Sequence, residues 1–200
     1  MRFDDDNDDF NEEEFFNNGD EQGEDGDDWK LKPLRETGKV LIQLSEQILK
    51  TTEAIVATLP EVDEDSIPKT GELDDKTAHL LALQDYKGWM LGNARTIRVK
   101  ISGAMATCDY ILMSENATLI KLAARGLETE TSGLEMFGYD NEEYLETLRN
   151  EIDEFRKAFV KWVRCFPKED PLWPDGWGLF YTDEDVDKWN KLNPTEPREE

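Results

Sequence analysis

The chain has 200 residues, 38 % of them hydrophobic, and sets 23 Lys and Arg against 47 Asp and Glu for a formal charge of −24. Length and apolar content suit one domain with a real core. The charge argues against sequence-independent binding to nucleic acid or anionic membrane surfaces, where Lys and Arg must neutralise phosphates, and favours basic partners instead.

No apolar run reaches the roughly 18–20 residues that cross a bilayer. The acidic N-terminus is the opposite of a secretory signal, so a cytoplasmic location is expected.

Residues 1–28 hold fourteen Asp or Glu against Arg2 alone, with Phe3, Phe10, Phe15 and Phe16 set among them. Charge, Asn and Gly in place of branched aliphatics give the composition of a disordered acidic tail. Setting aside its −13 leaves −11 for residues 29–200, so the folded part is expected to be acidic in its own right. Segments that mix acids with a few Phe combine long-range attraction with apolar anchors, which makes Phe10, Phe15 and Phe16 candidate partner-binding residues. A fringe that serves only solubility is the competing reading.

A helix is expected from Pro33, because proline suits the first helical turn. Leu34, Leu41, Ile48 and Ile55 recur every seven residues, and Leu44 and Leu59 widen the stripe. The small, weakly polar Thr37, Ser45, Thr51, Thr52 and Thr58 beside it would let a neighbouring helix approach closely. Pro60 ends the helix, and an acidic connection follows with Pro68 and Gly71 as breakers.

Asp74 or Asp75 begins a long helical stretch. Leu80, Leu83, Met90, Ala94, Ile97, Ile101, Met105, Cys108 and Leu112 keep a helical period, while Leu91, Val99, Ala106 and Tyr110 fall off that stripe. Apolar residues on several faces predict a central helix covered on more than one side. Unbroken to Arg125 it would be about 75 Å long, so a break is expected at Ser114–Asn116, with a shorter helix reaching to about Glu128. Within this stretch Gly88, Gly92, Ser102 and Ala106 accompany Lys87, Arg95, Arg98 and Lys100. Each glycine weakens a helix by about 1 kcal/mol relative to Ala, so a compensating contact is expected. It is either close helix packing or a cleft in which Trp89, Arg95 and Arg98 receive an anionic group, the planar guanidinium fork favouring oxyanions. Asp109 is a candidate neutralising partner for Arg98.

The stretch "ETETSGLEMFGYDN" reads as a turn-rich connection, with Asp140 and Glu143 at the spacing of a capping box. The helix after it has the cleanest pattern in the chain: Leu145, Leu148, Ile152, Phe155, Phe159, Trp162 and Phe166 alternate at spacings of three and four. Glu142, Glu143 and Glu146 at its start and Arg156, Lys157, Lys161 and Arg164 at its end suit the helix dipole. After Pro167 the chain packs Trp173, Trp177, Phe180, Tyr181 and Trp189 among Pro and Gly. A short helix from Thr182 to Asn190, capped by Thr182, is expected within an irregular strap closing the bundle. Trp173 and Trp177 are further candidate partner-binding residues.

Little in the chain points to catalysis. Helical bundles hold paired metals through Glu-x-x-His motifs, and the single histidine, His79, has no Glu three residues before it. His79 reads as a surface residue paired with an acid such as Asp75. Cys108 and Cys165 are far apart and without CxxC spacing, which suits two reduced thiols. "TGKV" lacks the upstream Gly and following Ser or Thr of a phosphate-binding loop, and GxGxxG is absent. No catalytic, cofactor-binding or metal-binding residue is assigned.

The expected fold is all-α: an antiparallel bundle of about four helices over residues 29–166, an acidic tail over 1–28, and a Trp-rich strap over 167–200 packed on the bundle. The heptad-like stripes also suit a homodimer. The expected function is a non-enzymatic cytosolic interaction or assembly protein whose acidic surface and tail engage a basic protein or assembly. One alternative is a nucleic-acid mimic that blocks a DNA- or RNA-binding protein, which needs a ridge of acids at phosphate-like spacing. The other is a small enzyme or sensor that binds an anionic ligand in the Trp89, Arg95, Arg98 cleft.

Overall fold

Leu34, Leu41, Ile48 and Ile55 fall on one side of a 31-residue helix, α1 (Asp28–Thr58), and all four are buried. The computed structural model describes residues 28–61, 74–107, 109–168, 182–192 and 194, with side chains from Leu31 onward. Phe10, Phe15, Phe16, Trp173 and Trp177 lie outside the described residues. α1 starts five residues before the expected Pro33 and keeps that proline inside its second turn. At that place the ring forfeits a single backbone bond, to the carbonyl of residue 29, and the helix tolerates it.

Four further helices follow: α2 (Asp75–Met105), α3 (Tyr110–Met136), α4 (Glu142–Val163) and α5 (Asp183–Leu192). Among the described residues there is no strand. α2 starts where expected, with the Asp74 carboxylate accepting from the Thr77 N–H at 2.6 Å. The long stretch breaks earlier than expected, at residues 106–109 rather than Ser114–Asn116. The Asp109 carboxylate accepts from the Leu112 N–H at 2.9 Å and so starts a new helix. Asn116 and Thr118 stay helical because their side chains bond the carbonyls of Leu112 and Ser114, one turn back.

α3 runs to Met136, eight residues past the expected end at Glu128. Gly133 is a packing residue inside it, and Gly138, at φ 78°, is the one that stops it. The Tyr139 N–H bonds Leu134 O and the Gly138 N–H bonds Glu135 O, both at 3.0 Å, closing the helix with a left-handed glycine. The capping box expected from Asp140 and Glu143 does not form; Asn141 is the cap residue of α4 and makes no side-chain capping bond.

The pairing of α1 to α4 follows from a few contacts. Gly38 of α1 lies against Met105 of α2, and Glu46 meets Arg98, so these two helices run antiparallel. Asn93 and Tyr86 of α2 face Gly126 and Gly133 of α3. Arg149 of α4 donates to Thr131 and Glu135 of α3. Thr51 of α1 donates to Glu151 of α4 at 2.9 Å. Each helix therefore packs against its two neighbours in a closed, antiparallel four-helix ring, with the α3–α4 seam the slightest. The axis is filled by Leu41, Ile48, Met90, Ile97, Ile120, Leu127, Leu148 and Phe155, all buried. Ser45 and Thr52, fully buried, bond the carbonyls of Ile42 and Ile48 and so leave no unsatisfied hydroxyl.

α2 is one wall of this ring rather than a central helix. α5 buries none of its residues and makes no close backbone contact with the other four helices. Its start is tied by Asp185, whose carboxylate accepts from the N–H and hydroxyl of Thr182.

Helix boundaries also relocate the charge. The four ring helices carry sixteen acids and sixteen bases, so the bundle framework is neutral rather than acidic. Residues 1–27 hold thirteen acids against Arg2, and the other −12 of the net charge lies in the connections and the C-terminal segments.

Candidate interaction surface on α2 and α3

The ring buries the apolar stripe of α4 almost completely, yet leaves large apolar side chains open on α2 and α3. Among the described residues eleven large hydrophobic side chains are exposed, and seven belong to α2, α3 and the residue capping α3. These are Trp89, Val99, Leu112, Leu119, Leu122, Met136 and Phe137; Trp89 is 55 % exposed, Val99 64 % and Leu122 54 %. Two of the four glycine and small-residue positions singled out in α2 face the same way. A Cβ added at Gly88 or Gly92 would meet nothing within 4 Å, so these glycines do not receive a helix, contrary to the expected close packing.

The packing glycines are Gly38, Gly126 and Gly133, whose space is taken by Met105, Asn93 and the Tyr86 ring. Leu112, Leu119, Gly126 and Gly133 succeed one another every seven residues. The two exposed leucines therefore lie on the edge of α3 that borders α2. On α2 the matching series is Tyr86, Asn93 and Lys100. Trp89 stands beside Tyr86, with ring centroids 5.4 Å apart, and Tyr86 in turn meets Phe137 at 5.5 Å, which meets His79 at 5.4 Å. This aromatic ladder runs from the bundle end into the α2–α3 face. At that end a recess of about 510 Å³ is lined by Thr58, Leu59, His79, Leu83, Phe137 and Tyr139, among others. The ring contact of His79 is thus with Phe137, in place of the expected acid.

The face carries charges of both signs. α2 and α3 together hold seven Lys and Arg against six Asp and Glu. Arg95 and Arg125 are exposed and Lys100 is half-buried on the seam, while Lys121 lines a recess at the α3–α4 seam with Phe159, Val163 and Phe166.

The structure does not bring Trp89, Arg95 and Arg98 into one cleft. Trp89 and Arg98 are nine residues apart on one helix, which at 100° per residue puts them on opposite sides. Arg98 is paired with Glu46 at 3.6 Å across the α1–α2 seam, while Arg95 is exposed. Glu46, not Asp109, is the acid that faces Arg98, because Asp109 is committed to the cap of α3.

Beneath the face lies one buried carboxyl that sequence inspection missed. Glu130 is 92 % buried at the α2–α3 seam and accepts from Asn93 at 2.7 Å, while its second oxygen has no partner. Burial pushes its carboxyl above the ordinary value of 4.5, and the bond from Asn93 opposes that shift. Glu151, bonded to Thr51, is raised for the same reason, with Glu154 adding like-charge repulsion. Neither sits with other ligating groups: among the described residues no three His, Cys, Asp or Glu are placed to hold a metal ion. Cys165 is half-buried with its thiol near Lys161 O, and Cys108 lies outside the described residues.

Among the described residues no helix is long and apolar enough to cross a membrane. Compared with known proteins, the chain matches no family model, no curated protein and no solved structure.

Proposed function

We propose that this protein is a non-enzymatic interaction or assembly factor whose outer α2–α3 face makes the shape-specific contact while its acidic segments attract a basic protein or assembly. The observation that carries the reading is that, of eleven exposed large apolar side chains among the described residues, seven belong to α2, α3 and the residue capping α3. Exposed apolar surface marks protein contact sites on soluble domains where it is contiguous, and Trp89 is the residue type that anchors such contacts. The thirteen acids of residues 1–27 would steer a cationic partner toward that contact and accelerate encounter at low salt.

Two observations weigh against the other readings. The acids of the ring are interleaved with bases: Asp153, for example, pairs with both Arg156 and Lys157 at 2.6 Å. Such interleaving weighs against the uninterrupted acidic ridge that a nucleic-acid mimic needs. The opposed directions of Trp89 and Arg98 speak against a small-ligand cleft between them.

The test is affinity capture with the full chain at 50 mM and 500 mM salt, beside a variant in which the Asp and Glu of residues 4–14 are replaced by Asn and Gln. A cationic partner recovered at low salt, and lost both in high salt and with the neutralised variant, is the expected result. Recovery of the same partner by both chains at both salts would remove the electrostatic part of the reading.

A further inference from the structure

At one end of the ring the C-terminal ends of α1 and α3 meet the N-terminal ends of α2 and α4. The recess of about 510 Å³ lies here, between the last residues of α1, the first three turns of α2 and the connection from α3 to α4. Its volume is within the roughly 300–1,000 Å³ of small-ligand sites. Leu59, Leu83, Phe137 and Tyr139 give it apolar and aromatic walls, and Asp140 and Asn141 are among its polar groups.

Charge at this end is one-sided. The N-terminal ends of α2 and α4 carry partial positive charge, and they are met by Asp75 and by Glu142 and Glu143 in their first turns. The C-terminal ends of α1 and α3 carry partial negative charge, and neither helix has a Lys or Arg in its last turn. The helix ends that favour a cation thus have none of their own. Residues 58–61, 74–79 and 136–142 add Glu61, Asp74, Asp75, Asp140 and Glu142 against Lys76.

Aromatic rings stand ready beside these helix ends. Phe137 is 37 % exposed and is braced by Tyr86 and His79, with ring centroids 5.5 and 5.4 Å away. The Tyr139 hydroxyl lies 2.8 Å from the Thr58 hydroxyl, which ties that ring to the end of α1. Ring faces attract ammonium and guanidinium groups, and rings already held in place lose little freedom on binding.

We propose that this recess is a binding site for an organic cation with an apolar stem, an alkylammonium or alkylguanidinium group. The stem lies against Leu59, Leu83 and Phe137, and the charge meets Asp140 and the C-terminal ends of α1 and α3. The recess adjoins the α2–α3 face through Phe137 and Tyr86, but the proposal does not require that face to be a contact surface. A free amine and the Lys or Arg side chain of a protein share this chemistry.

The experiment is a titration of the full chain with n-butylguanidinium, n-butylammonium, butyrate and n-butanol, read by NMR of the aromatic and methyl resonances. Both cations should shift the resonances of His79, Leu83, Phe137 and Tyr139 and saturate at about millimolar concentration, while butyrate and butanol leave them in place. Phe137→Leu keeps apolar bulk and removes the ring, and Asp140→Asn removes the charge; each should weaken cation binding about two- to fivefold. Both positions are exposed, so the variants should melt within a few degrees of the full chain. Asp153→Asn, at an acid paired with Arg156 and Lys157 on α4, should leave cation binding unchanged. N-acetyl-arginine amide separates the sources: binding tighter than that of n-butylguanidinium assigns the recess to a protein side chain, and weaker binding assigns it to a free small molecule. Equal shifts with butyrate or butanol, no saturable shift with either cation, or binding unaffected by both Phe137→Leu and Asp140→Asn would overturn the proposal. No partner protein is present, so this outcome is independent of the capture experiment above.

Discussion

α4 and α2 make opposite use of a similar stock of apolar residues. In α4 the apolar side chains recur at three and four, and Leu145, Leu148, Ile152, Phe155 and Trp162 are all buried, with charges on the other side. In α2 the apolar and small residues surround the helix; Met90, Ala94, Ile97 and Ile101 are buried, while Trp89 and Val99 stand in the open. The difference teaches that a four-helix ring has room to bury only one face of each wall. Apolar surface beyond that quota stays outside, where it destabilises nothing in particular and is available to a partner. A residue's contribution to the fold and its contribution to binding should therefore separate cleanly between these two helices.

The largest expected effect is on the interior side of that comparison. Trp162→Ala empties a fully buried site packed against Phe159 and Phe166 and should cost about 3–5 kcal/mol in chemical denaturation. Trp89→Ala, which on the open face gives up only its edge contact with Tyr86, should cost about 0.5–1.5 kcal/mol. Equal losses would show that Trp89 is structural.

The two kinds of glycine sharpen the contrast next. Gly133→Ala drives a methyl group into the Tyr86 ring, which is itself held between Trp89 and Phe137, and should cost about 1–3 kcal/mol. Gly88→Ala and Gly92→Ala place a methyl in open space and should each stabilise by about 0.5–1 kcal/mol through better helix propensity. Destabilisation at Gly88 or Gly92 would mean that the outer face is already covered.

A smaller, pH-dependent effect comes from Glu130. Its folded carboxyl holds its proton more tightly than the unfolded chain does, so its contribution to stability declines as pH rises from about 4.5 through the raised value. Glu130→Gln keeps an acceptor for Asn93 and removes the buried charge. It should raise the melting temperature at pH 7 and leave it unchanged near pH 4. A variant that is less stable at both pH values would show that the carboxylate is held by a partner that offsets its burial.

Much of the fold was legible because burial imposes a period. The heptad Leu34, Leu41, Ile48, Ile55 and the α4 stripe pointed inward as expected. The break in the long stretch was misplaced because Asn116 and Ser114 look like breakers in sequence, whereas the Asn116 side chain bonds Leu112 O within the helix and Ser114 O accepts from the Thr118 hydroxyl. Gly133 lies in a stretch that reads as a turn yet packs inside α3, while Gly88 reads as a packing residue and faces open space. A glycine's local sequence does not say whether a neighbour approaches it, since that depends on which side of the helix faces the ring. The paired arginines were read as one site for the same reason: proximity along the chain obscured the half-turn between Trp89 and Arg98. Leu112 falls within the expected stripe yet is 48 % exposed, since it differs from its buried neighbours only in angle. The neutrality of the ring became visible only when helix ends separated the framework from its acidic connections.

The most direct test of the central claim compares two surfaces of the same protein. The full chain, Leu119→Asp/Leu122→Asp on the α2–α3 face, and Val40→Asp/Val160→Asp on α1 and α4 are each used for capture at low salt, with melting temperatures recorded alongside. All four positions are exposed, so all three proteins should melt within a few degrees of one another. A cationic partner should bind the full chain and the Val40/Val160 variant and be lost from the Leu119/Leu122 variant. Retention by the Leu119/Leu122 variant, or equal loss from both, would contradict it.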